Sequence, residues 1–137
     1  MSRVFADTLY FLAVLNRHDP AHEEALAFYG NSSLHLVTTE WVLTEVGDAT
    51  AVPPARQKFK ELMEILEGDR QVEIIPASHE LFRRGLAFYF QRPDKKWSLT
   101  DCISLVVMND EGLTDALTGD RHFEQAGFTV LLRKDNV

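Results

Sequence analysis

Thiols, long apolar runs and positive charge are all scarce in this chain. The one cysteine, Cys102, leaves no internal disulfide, which suits a reducing compartment. It stands among apolar residues, where a small buried hydrophobe is expected rather than a nucleophile. The longest apolar run, residues 9–15, is far too short to cross a bilayer. No basic head, apolar stretch and small-residue cleavage site open the sequence, so a cytoplasmic protein with no membrane partner is expected. Fourteen Lys and Arg stand against twenty-one Asp and Glu, a net charge of −7 with the five histidines neutral. That balance argues against a general nucleic-acid coat protein, which is expected to be basic. It leaves room for an enzyme that reaches phosphates through bound metal and a few local cations. Repeats, low-complexity tracts and linkers are also missing.

What is present is a chain of 137 residues, 45% apolar and 26% charged, long enough to bury a core as one domain over 1–137. Residues 3–6 read as a buried strand ending at Asp7, followed by a helix over 9–15. Asp19-Pro20 predicts a helix start, running to Gly30. A second strand over 34–38 leads to Thr39, a cap for the next helix. After Pro53-Pro54, an amphipathic helix turns Phe59, Leu62, Met63, Ile65 and Leu66 inward and ends at Gly68. A third strand over 71–75, a helix capped by Ser78, a short fourth strand over 116–118 and a fifth over 128–132 complete the pattern. Strands alternating with helices imply an α/β fold with a parallel sheet covered on both faces. Ligands collect beyond the carboxyl ends of such strands.

The segment Ser98-Leu99-Thr100-Asp101-Cys102-Ile103-Ser104-Leu105-Val106-Val107-Met108 is apolar almost all the way round, as befits a central helix. Its polar residues Thr100, Asp101 and Ser104 share one side. A carboxylate there costs free energy unless a hydrogen bond or a cation compensates it. Ser98-x-x-Asp101 has the spacing of a capping box. Three further acids fall at the same expected rim: Asp7 after strand one, Glu45 two turns into the helix after strand two, and Asp120 after strand four. Each has an ordinary reading, as a cap for Asp7 and Asp120 and as a solvated helix residue for Glu45. Asp115 competes with Asp120, and Glu40 and Asp48 compete with Glu45. At 6 Å and an effective dielectric of 20, each pair of these charges repels by roughly 3 kcal/mol. A hard divalent cation relieves that crowding, and Mg²⁺ or Mn²⁺ prefers such oxygen ligands.

The blocks Val4-Phe5-Ala6-Asp7-Thr8, Thr39-Glu40-Trp41-Val42-Leu43-Thr44-Glu45-Val46, Ser98-Leu99-Thr100-Asp101-Cys102-Ile103-Ser104 and Ala116-Leu117-Thr118-Gly119-Asp120-Arg121-His122-Phe123 resemble the signature blocks of PIN domains. In order and spacing they are similar to the small stand-alone ribonucleases of the VapC toxin type. The resemblance implies a three-layer PIN-like sandwich whose central, mostly parallel five-stranded sheet carries helices on both faces. It implies a metal-dependent endoribonuclease with Asp7, Glu45, Asp101 and Asp120 as metal-binding catalytic acids. Thr8 and Thr118 match small hydroxyl positions beside that site. Leu9 departs from the pattern, standing where a small polar residue often follows Asp-Thr. A protein antitoxin and a homodimer are implied as well.

On that basis the expected reaction is hydrolysis of an RNA phosphodiester, in a single strand or loop, with one or two Mg²⁺ or Mn²⁺ ions activating water. Arg92, Lys95, Lys96 and Arg121 are the cations expected near the rim, with His122 beside Arg121 adjoining Asp120; the reaction itself needs no histidine. Trp97 is either a base-stacking platform or core at the helix entrance, and Phe88, Tyr89 and Phe90 suggest packing or a dimer surface. The chief alternative is a catalytically inactive PIN-fold module that binds RNA or protein, although a dead site has no electrostatic reason to keep four repelling acids. A phosphoacceptor receiver would need paired acids near strand one and a lysine after the last strand, where Arg133-Lys134 lies too close to the C-terminus. A haloacid-dehalogenase-type phosphatase would need an acid where Leu9 stands.

Overall fold

The computed structural model describes residues 2–132; Arg133 and Lys134 lie outside them. Strand β1 (Ser2–Ala6) leads through α1 (Thr8–Leu15) and α2 (His22–Tyr29) to β2 (Leu34–Thr39). Helices α3 (Glu40–Ala49) and α4 (Ala55–Gly68) then connect to β3 (Val72–Ile75). Helices α5 (His79–Gln91) and α6 (Leu99–Glu111) cross over to β4 (Asp115–Leu117), and α7 (Arg121–Gln125) leads to β5 (Thr129–Val130). The sheet has the order β3-β2-β1-β4-β5, and every pairing is parallel. The sequence-based expectation of a mostly parallel sheet therefore understated its uniformity. No helix among the described residues is long and apolar enough to cross a membrane.

The order reverses direction between β1 and β4. Right-handed crossovers put α1–α4 on one face and α5–α7 on the other, which gives the three layers. Between β1 and β4 the connections leave in opposite directions, opening a crevice beyond the carboxyl ends of these two strands. Asp7 and Thr118 are the residues immediately after them. Helix α6 is oriented by its far end. Arg3, at the start of β1, donates to the Glu111 carbonyl at 3.2 Å and to its carboxylate at 2.8 Å. Since the end of α6 sits at the beginning of β1, its first turn lies at the opposite edge, beside the crevice.

Phe5, Ala6, Tyr10, Phe11, Val42, Val46, Met108, Leu117 and Phe123 are buried at the centre, and Phe5 stacks on Phe123 with ring centroids 6.3 Å apart. Thr39 and Ser78 cap α3 and α5 as their sequence positions predict, accepting from the backbone N–H of Val42 and Leu81. Two local expectations differ. Asp19-Pro20 does not start a helix: Asp19 accepts from Ala21 N–H at 2.8 Å in a turn of its own, so α2 begins at His22. Ile65 does not join the inner face of α4; it is 53% exposed, whereas Leu62 and Leu66 are buried. With the apolar stripe already filled by those two leucines, Ile65 falls at its edge.

Helices α5 and α6 touch at Gly85. A Cβ there would collide with Ile103 Cγ1 and lie 3.2 Å from Ile103 Cα, so relief requires the helices to separate. Replacing a helical glycine by alanine gains up to about 1 kcal/mol in propensity, while overpacking costs about 1–3 kcal/mol. Because the backbone of Ile103 cannot yield, Gly85→Ala is expected to be destabilising by about 2 kcal/mol net. Thermal unfolding with a melting temperature lowered by roughly 7 °C checks this.

Candidate active site

Asp7 follows β1 as the N-cap residue of α1, yet its side chain makes no capping bond. Its carboxylate turns instead into the crevice, where Oδ2 accepts from the Thr118 hydroxyl at 2.9 Å. That hydroxyl also accepts from the Asp120 backbone N–H at 3.0 Å, so one small side chain ties the ends of β1 and β4 together. Asp7 is only 3% exposed. Burial, helped by the charges of Asp101 and Asp120, pushes its carboxyl up to about 7, against the pull of the Thr118 hydroxyl and the Thr8 backbone.

Asp101 lies in the first turn of α6 and does form the capping box its spacing predicts: Ser98 Oγ accepts from Asp101 N–H at 3.0 Å, and Asp101 Oδ2 accepts from Ser98 N–H at 3.2 Å. Its side chain is 12% exposed. Burial and the neighbouring Asp120 charge raise its carboxyl above the usual range, opposed by Ser98 and His122. Asp120 caps α7, accepting from His122 N–H at 2.9 Å. For Asp101 and Asp120 the ordinary capping role holds, and it is what pins both carboxylates in place. Asp7 has no such role to explain it.

Glu45 reaches the same end of the sheet from α3, accepting from the Thr8 hydroxyl at 2.6 Å. The crevice thus gathers Asp7, Asp101 and Asp120, with Glu45 tied to the residue next to Asp7. The competitors are engaged elsewhere. Asp115 opens β4 at the opposite edge of the sheet and takes the Thr114 hydroxyl. Glu40 accepts from Ala77 N–H at 2.7 Å, and Asp48 is exposed.

His122, expected from the sequence only as a cation adjoining Asp120, joins this group. Its Nδ1 stands 3.1 Å from Asp101 Oδ2 and 3.3 Å from Asp120 Oδ1. Ligand atoms of Asp101, Asp120 and His122 all lie within 4.8 Å of one another. Two carboxylates and an imidazole at that spacing suit a divalent ion, and beside them stands Asp7, raised chiefly by burial and less by the charges of Asp101 and Asp120. On the same side of α6, one turn on, Ser104 Oγ is buried and unpartnered among the described residues. The donor set therefore fits a metal centre.

The predicted cations fare unequally. Arg92 is paired with Asp94 at 3.0 Å and lies over the Trp97 ring, 5.1 Å from its centroid, with Lys95 at 5.8 Å. Lys96 is exposed, and Arg121 has 85% of its side chain exposed, with one loose contact to Glu124. Trp97 is no stacking platform for a base. It is 4% exposed, donates from Nε1 to Gln125 at 3.0 Å and packs on Phe88. Tyr89 and Phe90 remain exposed on α5. Cys102 is buried, and burial pushes its thiol up to about 11, so it is no nucleophile.

A family model, the PIN domain, matches residues 4–129. Among solved structures, the chain is similar to VapC20 of Mycobacterium tuberculosis, described as a sarcin-ricin loop cleaving toxin, at 21% identity and a TM-score of 0.82 over 92% of this chain and 96% of that one. It is similar to VapBC2 of Rickettsia felis bound to a DNA fragment from its promoter, at 13% identity and 0.66 over 96% and 98%. A toxin–antitoxin complex from Klebsiella pneumoniae gives 17% identity and 0.63 over 93% and 95%. At these identities the likeness is one of fold. A comparison with curated proteins finds no match.

Proposed function

Because the chain belongs to the PIN domain family, and because Asp101, Asp120 and His122 bring ligand atoms within 4.8 Å of one another beside buried Asp7, we propose that it is a divalent-metal-dependent endoribonuclease. That convergence is the observation that carries the proposal. Asp7, Asp101 and Asp120 hold the ion, and Glu45 completes a second ion's surroundings or orients the attacking water. A bound divalent ion supplies a Lewis acid that makes water nucleophilic at neutral pH and offsets the charge of the scissile phosphate. Thr118 fixes the Asp7 carboxylate and Thr8 fixes Glu45, so the acids are oriented before substrate arrives. Lys96 and Arg121 are the cations free to meet an RNA backbone, while Arg92 and Lys95 stiffen the loop around Trp97.

The biological reading is the toxin of a toxin–antitoxin pair acting on RNA in the cytoplasm. A protein antitoxin is its partner, and a homodimer its working form. Support comes from the fold shared with structures described as toxins and toxin–antitoxin complexes. The test is incubation of a mixed RNA pool with Mg²⁺, with Mn²⁺ and with chelator. Cleavage that either ion starts and chelator stops is the expected outcome. RNA retained but uncut under every divalent ion would instead favour a PIN fold used only for binding.

A further inference from the structure

His122 sits where a ligand would, its Nδ1 facing two carboxylates of the candidate site at once. Nδ1 is hydrogen-bonded to Asp101 Oδ2 at 3.1 Å, and Asp120 Oδ1 stands a further contact away at 3.3 Å, within ion-pair reach. Ligands about 2.1 Å from a common ion stand about 3.0 Å apart along an octahedral edge. The two spacings around Nδ1 are close to that edge. The cap of α7 fixes the backbone of His122 beside the Asp120 carboxylate, to which its N–H donates at 2.9 Å.

We infer that His122 is a nitrogen ligand of the bound ion and biases the centre toward first-row transition ions over Mg²⁺. The inference rests on the metal-dependent reading above and deepens it. Imidazole nitrogen adds affinity for ions such as Co²⁺ along the Irving–Williams order, whereas Mg²⁺ is best served by carboxylate and water. An all-carboxylate centre has no such bias beyond the intrinsic order of the ions. One residue thus sets ion choice without taking part in the carboxylate set itself.

The test uses the whole, RNA-free protein. Titration calorimetry with Co²⁺ and with Mg²⁺ is expected to show the Co²⁺ preference of the wild type falling by about tenfold or more in His122→Ala and His122→Asn, on the scale seen when groups supporting a metal site are removed. Mg²⁺ affinity should change far less. In the Mn²⁺-loaded protein, electron spin-echo modulation should show a coordinated imidazole nitrogen in the wild type and lose it in both variants. Circular dichroism and thermal unfolding of the two variants separate ligand loss from misfolding. An undiminished or tighter Co²⁺ affinity in the variants, or Mn²⁺ bound by the wild type without nitrogen coupling, would overturn the inference alone, because a histidine that merely stands in for the absent ion behaves that way. A wild type that binds no divalent ion at all would bring down the metal-dependent reading together with it.

Discussion

Asp101→Asn is expected to lower RNA cleavage by at least about a thousandfold while the protein stays folded. Asparagine is nearly isosteric, and its Oδ1 still accepts from Ser98 N–H, so the capping box that starts α6 survives. The substitution removes only the charge. Burial and Asp120 hold this carboxyl above the usual range, outweighing its bonds to Ser98 and His122, so loss of the charge is on balance a relief. The melting temperature without metal is expected to stay within about 3 °C of the wild type, less than 1 kcal/mol for a chain of this size. Catalysis is affected quite differently, because removing one electrostatic stabiliser of a transition state commonly costs a hundred- to a thousandfold, and here an ion is weakened as well. Single-turnover cleavage at saturating divalent ion measures the effect. A variant that cuts within about tenfold of the wild type would show that Asp101 is a cap and nothing more.

The order of elements was legible because each left a local mark. Thr39, Ser78 and Ser98 announced three helices by capping chemistry that depends on the next three residues alone. The apolar blocks ending at Asp7 and Thr118 marked strand ends that share one edge. Four acids distributed over four elements could be brought together on paper because a parallel sheet places every strand's carboxyl end on the same side. Their crowding, together with the motif blocks, is what pointed to metal.

Other features had no local signal. His122 lies two residues after Asp120, a spacing that puts neither residue on a common helical face. They meet only because Asp120 is a cap outside the helix and its carboxylate folds back on α7. For Trp97 the sequence left a base platform and core at the helix entrance both open, and the core position that holds depends on Phe88, two arms from Arg92 and Lys95, and Gln125 from a distant helix. Asp19-Pro20 has the composition of a helix start, but the Asp19 side chain closes a turn two residues long instead. In each case the deciding partner is remote, or a side chain competes with the backbone, and periodicity carries neither.

The metal-free protein should become more stable at pH 8 when Asp7 is replaced by Asn, although this destroys the proposed site. Folded Asp7 keeps its proton up to about pH 7, whereas the unfolded chain releases it near the ordinary value of 3.8. Between these values the unfolded state binds fewer protons than the folded one, so stability falls as pH rises. The difference of roughly three units corresponds to about 4 kcal/mol, absent below pH 4 and fully expressed above pH 7. Asp7→Asn keeps an acceptor for the Thr118 hydroxyl and removes the titration. It is therefore expected to melt close to the wild type at pH 4 and roughly 14 °C above it at pH 8 in chelator. A divalent ion at a hundredfold excess over its Kd should then raise the wild type by about 3 kcal/mol and leave the variant nearly unmoved, closing most of the gap. Melting curves at two pH values, with and without Mn²⁺, are sufficient to decide. A wild type more stable than Asp7→Asn at pH 8 in chelator would mean that the buried carboxylate is compensated by something other than a metal ion, and the case for a centre built to need one would fail.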